Sequence, residues 1–558
     1  MTEHDLTRRA VLKGAAVTAG ALTLGPALAS GPASAAQPSA AAGSRPNFVL
    51  IMTDDQGYAD LASYGAPYID TPNLDGIAQR GIRCTDHYAG SPLCTPSRAA
   101  LLTGAWPPRV NMPNVLNPAQ AQGLSPAETT LPEYLRTAGY ATAMFGKWHL
   151  GDPESNPVFH PMDHGFDRFF GTPYSNDYPT VPVYDDRTIV ERIVYPGALG
   201  QDAGNGDEQN WLNKAVMQHA ADWIRGQDAD RPFLAYVAPT QPHEPVASEF
   251  QGSAGGPHGS SVEEIDMLVG EILQALDELG VRENTVVVFT SDNGPWWVGD
   301  TGGLKGRKGE TYEGGQRVPF VMEWPAVMSG ESLVYEGVTT HTDILPTFCA
   351  AAGVPLRDRA LDGRNLLPLI EDGRKPPFFA ELGALLDLHS ASGQITVTAA
   401  AGLRDRLDRA ETAVEQGRES TAVSYLEQLA ARARNQVKGD ADDVAARDAI
   451  LSAVSAAVVT VSTYVDVAYY SSNTLHAIRY GDWKLHVRRV ANPTRFTGLY
   501  NWNATDNMPE LYNLRTDPEE CYDLSEHEPE VLAAMTARLQ AFDAALKADR
   551  ALYYPALG

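Results

Sequence analysis

The segment Cys94-Thr95-Pro96-Ser97-Arg98-Ala-Ala-Leu-Leu-Thr-Gly104 sets a thiol and a guanidinium four residues apart at the mouth of a short predicted helix. Thr95 suits the cap, Pro96 the first helical position and Gly104 the stop. Cys94 then lies where backbone N–H groups and the helix dipole favour an anion, and Arg98 adds a planar fork of donors. Asp54, Asp55, Asp292 and Asn293 come directly after two apolar runs and offer only hard oxygen ligands. Oxygen-only sets suit Ca²⁺ or Mg²⁺, whereas zinc would want His or Cys; the competing reading is a pair of strand-end turns whose Asp and Asn cap loops. Lys147 and His149 stand two apart at the end of a third apolar run, a spacing that points both side chains the same way in a strand. His243 sits in the proline-stiffened loop Pro239-Thr-Gln-Pro-His-Glu-Pro245, and Lys308 precedes Gly-Glu-Thr-Tyr-Glu-Gly-Gly. A lone histidine or lysine in a loop is ordinarily solvated, so position alone assigns neither a role.

These residues need a scaffold. The apolar runs Asn47–Met52, Tyr140–Phe145, Phe233–Val237 and Thr285–Thr290 read as buried strands of a parallel sheet, each followed by polar residues. Helical patterns such as Glu264–Leu279 lie between them. The expected fold is therefore α/β, a mostly parallel central sheet flanked by helices, with chemistry beyond the carboxyl ends of the strands. From about Phe378 the texture changes. Leu403, Leu407, Ala410 and Val414, then Val423 to Val437, then Val444 to Val458 form three helical stripes, an inserted bundle. Strand-like Leu475–Ile478 and Trp483–Val487 and a helix near 529–549 predict a small α+β carboxy-terminal domain.

At 558 residues the chain is too long for one ordinary core. Its 43 Lys+Arg against 70 Asp+Glu give a net charge of −27, which argues against binding nucleic acid or an anionic membrane. An anionic substrate would need a local cationic pocket. Arg8-Arg9 before a mildly apolar segment, with Ala33-Ser34-Ala35 behind it, reads as a twin-arginine export signal. The run is too short and too diluted with Gly and Thr for a stable membrane span. The domains expected are a signal over 1–35, a linker over 36–45, a catalytic domain over 46–377, the bundle over 378–459 and the small domain over 460–558. Cys84, Cys349 and Cys521 lie in ordinary contexts, Cys349 in an apolar helix, and their spacing supports no disulfide.

The Cys-x-Pro-x-Arg segment resembles the signature of type I sulfatases, in which the cysteine is oxidised to formylglycine (3-oxoalanine). Asn47–Gly57, Gly146-Lys-Trp-His-Leu-Gly151, Gly171-Thr-Pro-Tyr-Ser-Asn-Asp177, Pro242-His243, Ser291-Asp-Asn-Gly294 and Lys308–Pro319 resemble further blocks of that family, in its order. The Gly-Thr-Pro-Tyr-Ser stretch is nearest to arylsulfatase A-like members of this alkaline-phosphatase-like superfamily. The resemblance implies hydrolysis of a sulfate monoester to alcohol and sulfate. It implies a calcium ion, with magnesium as the alternative, on Asp54, Asp55, Asp292, Asn293 and the modified Cys94. Arg98 would polarise the formylglycine hydrate and His149 would act on its hydroxyl as a base. Lys147 would hold the sulfate, Ser175 would orient it, and His243 and Lys308 would contact the leaving oxygen, one of them protonating it. Lys305 does not match the block at the family's spacing.

The same resemblance implies a formylglycine-generating enzyme as a partner, acting in the cytoplasm before the twin-arginine translocase exports the chain. Relatives with this site also hydrolyse phosphonates and phosphodiesters, and a non-catalytic glycan-binding protein is the more distant alternative. The stretch from Ser-Gly-Gln-Ile395 through Val437 resembles FIMAH-type modules of secreted glycan-active enzymes, which implies contact with a polysaccharide through 378–459; a stabilising spacer is the plainer reading. Aryl and carbohydrate sulfates both fit the motif residues.

Overall fold

The structure, a computed structural model, describes residues 45–554 apart from 195–208, 329, 331, 358–360, 368–369, 371–377, 416–418, 438–440, 462–465 and 489–508. The export signal, its cleavage site and the linker up to residue 44 lie outside the described residues.

The strands of the main sheet are β1 (Asn47–Thr53), β2 (Ile82–Tyr88), β3 (Ala141–Lys147), β4 (Arg168–Thr172), β5 (Thr180–Asp185), β6 (Thr188–Val194), β7 (Phe233–Ala238), β8 (Thr285–Ser291), β9 (Phe320–Glu323) and β10 (Leu333–Thr340). They lie in the order β10-β2-β9-β8-β1-β7-β3-β4-β5-β6. The run from β8 to β4 is parallel throughout, as is β10 with β2, while β9, β5 and β6 join antiparallel. The mostly parallel sheet expected from the apolar runs is therefore present, with antiparallel additions toward its edges.

β1 shows why its sequence is apolar on both faces. Phe48, Leu50 and Met52 enter one core and Val49 and Ile51 the other, all with no exposure. Alternation along the pleat sends neighbours to opposite faces. On the first face pack α2 (Cys94–Thr103), α3 (Leu131–Arg136) and α7 (Ile344–Ala351); on the second pack α1 (Pro72–Arg80), α4 (Asn210–Arg225) and α5 (Gly256–Leu279). Each wholly buried Val, Leu, Ile or Phe is worth about 1.5–3 kcal/mol of transfer free energy. The helix expected over Glu264–Leu279 begins eight residues earlier, at Gly256, where Pro257 fits the first turn. The four-residue α6 (Glu313–Gln316) precedes β9.

Beyond α7, four helices pack on one another: α8 (Phe378–Ala391), α9 (Val397–Glu415), α10 (Glu419–Gln436) and α11 (Ala441–Val461). Three stripes were legible in the sequence; α8 was not, because its apolar residues run without a clear period. Leu382, Leu403, Leu426 and Ile450 meet in the core of this bundle. A second sheet, β11 (Val467–Ser471), β12 (Thr474–Tyr480), β13 (Trp483–His486) and β14 (Glu510–Asn513), is antiparallel and carries α12 (Pro529–Tyr553). Its core takes in Tyr88 of β2 and Trp106, which follows α2. No described helix is long and apolar enough to cross a membrane. Among the described residues all four cysteines are free, with Cys84, Cys94 and Cys349 buried.

Candidate active site

Parallel pairing of β1 with β8 sets Thr53 beside Ser291, so the acidic residues at the end of each strand emerge together. The Asp292 N–H donates to the Thr53 carbonyl at 3.0 Å, and the Asp55 N–H to Asp292 Oδ1 at 3.1 Å. Asp55 turns out of its strand with φ of 62°, a left-handed conformation that Asp tolerates better than most residues. Asn293 Nδ2 donates to Asp55 Oδ1 at 2.7 Å. Asp54, Asp55, Asp292 and Asn293 are all buried.

α2 begins differently from the sequence expectation. Leu93 is its cap, with extended backbone, and Cys94 is its first residue, so Thr95 and Pro96 stand one and two places further in. Thr95 Oγ1 instead accepts the N–H of Leu116 at 3.2 Å, a partner 21 residues away that local spacing cannot reveal. The stop at Gly104 is as expected: φ is 67° and its N–H returns to the Ala100 carbonyl. Four residues separate Cys94 from Arg98, which puts them on one face of the helix.

The basic residues close on the acidic cluster. Arg98 is wholly buried and grips Asp292 Oδ2 through Nε at 3.0 Å and through a terminal nitrogen at 2.7 Å. Its other terminal nitrogen donates to the Lys147 carbonyl at 2.9 Å. Lys147, the last residue of β3, sets Nζ 2.6 Å from Asp54 Oδ2. Lys308 Nζ stands 2.7 Å from Asp55 Oδ2, and His243 Nε2 is 3.6 Å from the same oxygen. Donor atoms of Asp54, Asp55, Cys94 and His243 all lie within 4.8 Å of one another.

Burial and charge set the protonation of these groups. Burial alone would raise the Asp54 carboxyl, but Lys147, His243 and Arg98 outweigh it and hold it well below the usual range. Asp292 goes the other way, to about 6, driven first by burial and then by the neighbouring Asp54. Burial pushes the Cys94 thiol up to about 12, so an unmodified cysteine here is protonated at neutral pH and a poor nucleophile. Burial and then Lys147 hold His149 well below 6.5, hence neutral.

One further expectation needs correction. His149 is not on the same strand face as Lys147: β3 ends at Lys147, and His149 lies beyond it with φ of 59°. It is buried, Nε2 facing the Leu116 carbonyl at 2.9 Å, with Lys147, Arg98 and Asp54 as charged neighbours. Lys305 and Lys308 part company in space as they do in the motif. Lys305 Nζ meets Tyr512 and the Glu520 carbonyl of the second sheet, whereas Lys308 reaches the cluster. Ser175 is buried between β4 and β5 and makes no hydrogen bond to the cluster.

Two residues close to the cluster were given no role by sequence. Asp177 stands near His243, Lys308 and Lys147, which overcome burial and hold its carboxyl below the usual range. His341 underlies α2, with Nδ1 3.0 Å from Ser97 Oγ. Asp177 falls inside the Gly171–Asp177 block and could have been drawn from it. His341 is 244 residues from Ser97 and carries no local signal.

A metal ion fits this set. Asp54 Oδ1, 3.6 Å from Arg98, and Asn293 Oδ1 are buried and accept no hydrogen bond. Oxygens left so at the centre of an acidic cluster are ready ligands for a hard divalent cation.

The sequence matches the Sulfatase family over residues 46–354, the C-terminal region of aryl-sulfatase over 464–555 and the FIMAH domain over 379–458. It is 38% identical over 378 residues to N-acetylgalactosamine-6-sulfatase of Homo sapiens, covering 62% of this chain and 71% of that protein. It is 41% identical over 355 residues to arylsulfatase A of Homo sapiens, covering 60% and 69%. The fold resembles the crystal structure of the PsFucS1 sulfatase from Pseudoalteromonas sp., with a TM-score of 0.62 and 24% identity over 90% of this chain and 91% of that one.

Proposed function

The chain belongs to the sulfatase family and is a sulfuric ester hydrolase, and from that premise we propose that it is exported and desulfates an aryl or carbohydrate sulfate through a formylglycine made from Cys94 beside a bound Ca²⁺ ion. The observation that carries this reading is the charge count of the cluster. Asp54, Asp55, Asp292 and Asp177 face Arg98, Lys147 and Lys308, so a divalent ion would leave an excess of about one positive charge, or two with His243 protonated, facing an ester's –SO₃⁻ group. That local excess answers the global charge of −27.

Asp54, Asp55, Asp292 and Asn293 would hold the ion, with an oxygen at position 94 completing its shell; the ion supplies neutralisation and Lewis-acid polarisation. A formylglycine hydrate at position 94 would supply one hydroxyl as a nucleophile and a second as an internal route for releasing sulfate, dividing one hard hydrolysis into two easier steps.

The chain's own groups do the rest. Arg98, clamped by Asp292 and the Lys147 carbonyl, keeps a fixed positive charge at the mouth of α2. Lys147 grips the sulfate and Ser175 orients it. His149 Nε2 donates to the Leu116 carbonyl, so its Nδ1 carries the lone pair; that atom is buried without a partner and suited to take a proton from the group at position 94. His243 Nδ1 faces the Glu244 carbonyl at 2.6 Å and must be its donor, which leaves Nε2 facing the site. Protonated, it hands that proton to the departing oxygen. Lys308, held by Asp55, offers the same oxygen a fixed charge.

The paired arginines near the amino terminus support twin-arginine export of a folded chain. That route leaves time for a cytoplasmic generating enzyme to modify Cys94. The domain division 1–35, 36–45, 46–377, 378–459 and 460–558 belongs to the same proposal. Mass spectrometry of the peptide spanning residue 94, with turnover of matched aryl sulfates and aryl phosphates, tests it. The expected result is an aldehyde or its hydrate at position 94, preference for sulfate, and no turnover by Cys94→Ala. Unmodified thiol throughout active exported protein overturns it.

A further inference from the structure

The turn that carries Lys308 is held from outside the catalytic sheet. Gly314 N–H donates to the Lys305 carbonyl at 2.7 Å, closing the chain on itself. A Cβ at Gly314 would fall 2.3 Å from the Gly306 oxygen, and one at Gly315 would fall 2.0 Å from the Glu310 oxygen, so only paired glycines allow this closure. Lys308 N–H donates to the Pro295 carbonyl at 3.0 Å and Gly309 N–H to that of Pro92 at 2.8 Å. The turn is thereby tied to the segments beside Asn293 and Cys94.

Its other side rests on the second sheet. Glu313 is wholly buried, and its Oε1 accepts from Lys484 Nζ on β13 and from the Tyr469 hydroxyl on β11, each at 2.9 Å. The Glu313 N–H donates to Glu520 Oε2 at 2.7 Å. Glu520 Oε1 lies 3.1 Å from Lys484 Nζ, and the side chains of Lys484 and Glu520 are as fully enclosed as that of Glu313. Buried ion clusters rarely stabilise more than an apolar core of the same volume, but they admit one geometry.

We infer that Glu313, Lys484 and Glu520 are positioning residues, through which the carboxy-terminal sheet fixes where the Lys308 ammonium meets the departing oxygen. This rests on the reading that Lys308 serves the leaving group. The lysine stem is flexible, and misplacing a reacting group by about 1 Å costs on the order of 100-fold in rate. The small domain then serves the active site through Lys484 and Glu520.

The test is a series of sulfate esters whose leaving alcohols span weak to strong acids, run with Lys484→Met, Lys484→Arg and Lys308→Ala. Lys484→Met is expected to lower kcat about tenfold or more on the poorest leaving groups and far less on 4-nitrophenyl sulfate, with KM within about twofold, and Lys484→Arg to restore most of the loss. An equal loss on every leaving group, or none, overturns the inference when Lys308→Ala itself shows the leaving-group dependence. A flat response to Lys308→Ala instead overturns the reading of Lys308. Should Lys484→Met not fold, Tyr312→Phe deletes only the hydroxyl that donates to Glu510 Oε2 at 3.0 Å on the same contact face and is read by the same series.

Discussion

Lys147 ends its strand with an ammonium 2.6 Å from Asp54 and neither side chain exposed. A partner removed from such a pair leaves a buried charge, here still 3.6 Å from Arg98, and costs about 3 kcal/mol. Lys147→Met, which nearly keeps the volume, is therefore expected to lower the unfolding free energy by about that amount, measured by denaturant titration. It also removes a cation from the sulfate site, and a fall in kcat/KM of about 100-fold or more should accompany it. At this scale the acidic pairs were legible, because each stands directly after an apolar run, and parallel strands deliver their carboxyl ends to the same edge of the sheet. The cap of α2 was not. Thr95 has the right chemistry for a cap, but the N–H of Leu116 claims its hydroxyl, and nothing near Thr95 in the chain announces that contact.

At the scale of elements, α2 is braced from below by His341, whose ring meets Ser97 Oγ at 3.0 Å and Thr290 Oγ1 at 3.4 Å. Burial, and then Arg98, drive its pKa from 6.5 down to about 3. The unfolded chain takes up a proton there below pH 6.5 while the folded one refuses it until about 3. Stability from this group is therefore complete above about pH 6.5 and drains as pH falls, at about 1.4 kcal/mol per pH unit. His341→Asn is expected to give a shallower decline of melting temperature than the parent between pH 6.5 and 4.5, whatever its starting value. An unchanged slope would mean that the ring is already charged in the fold. His149 carries a related lesson. Its two-residue spacing from Lys147 suggested a shared strand face, yet the strand stops first and a left-handed backbone re-aims the ring.

At the scale of the molecule, the main sheet with a core on each face, the helical bundle and the second sheet are stitched along one chain. The bundle α8–α11 buries Leu403, Leu426 and Ile450 among its own helices. If it holds a polymer near the catalytic cleft, it raises the local concentration of sulfated residues, an effect that reaches 100-fold or more for linked modules. Deleting 379–459 is expected to leave 4-nitrophenyl sulfate turnover within about twofold and to slow desulfation of a sulfated polysaccharide about tenfold or more. Unchanged polymer kinetics and binding would reduce the bundle to a spacer.

The sequence by itself determined the parallel sheet, the acidic strand ends and the order of the motif blocks, because each is written in contiguous residues with a period or a spacing. Only the tertiary structure decided that Lys308 and His243 meet Asp55, that Lys305 turns away to Tyr512, and that Glu313 sits between two sheets. Lys308 and Asp55 stand 253 residues apart in the chain, and Lys305 and Tyr512 stand 207 apart. The geometry of such contacts comes from how whole layers pack, and no local pattern of side chains encodes it.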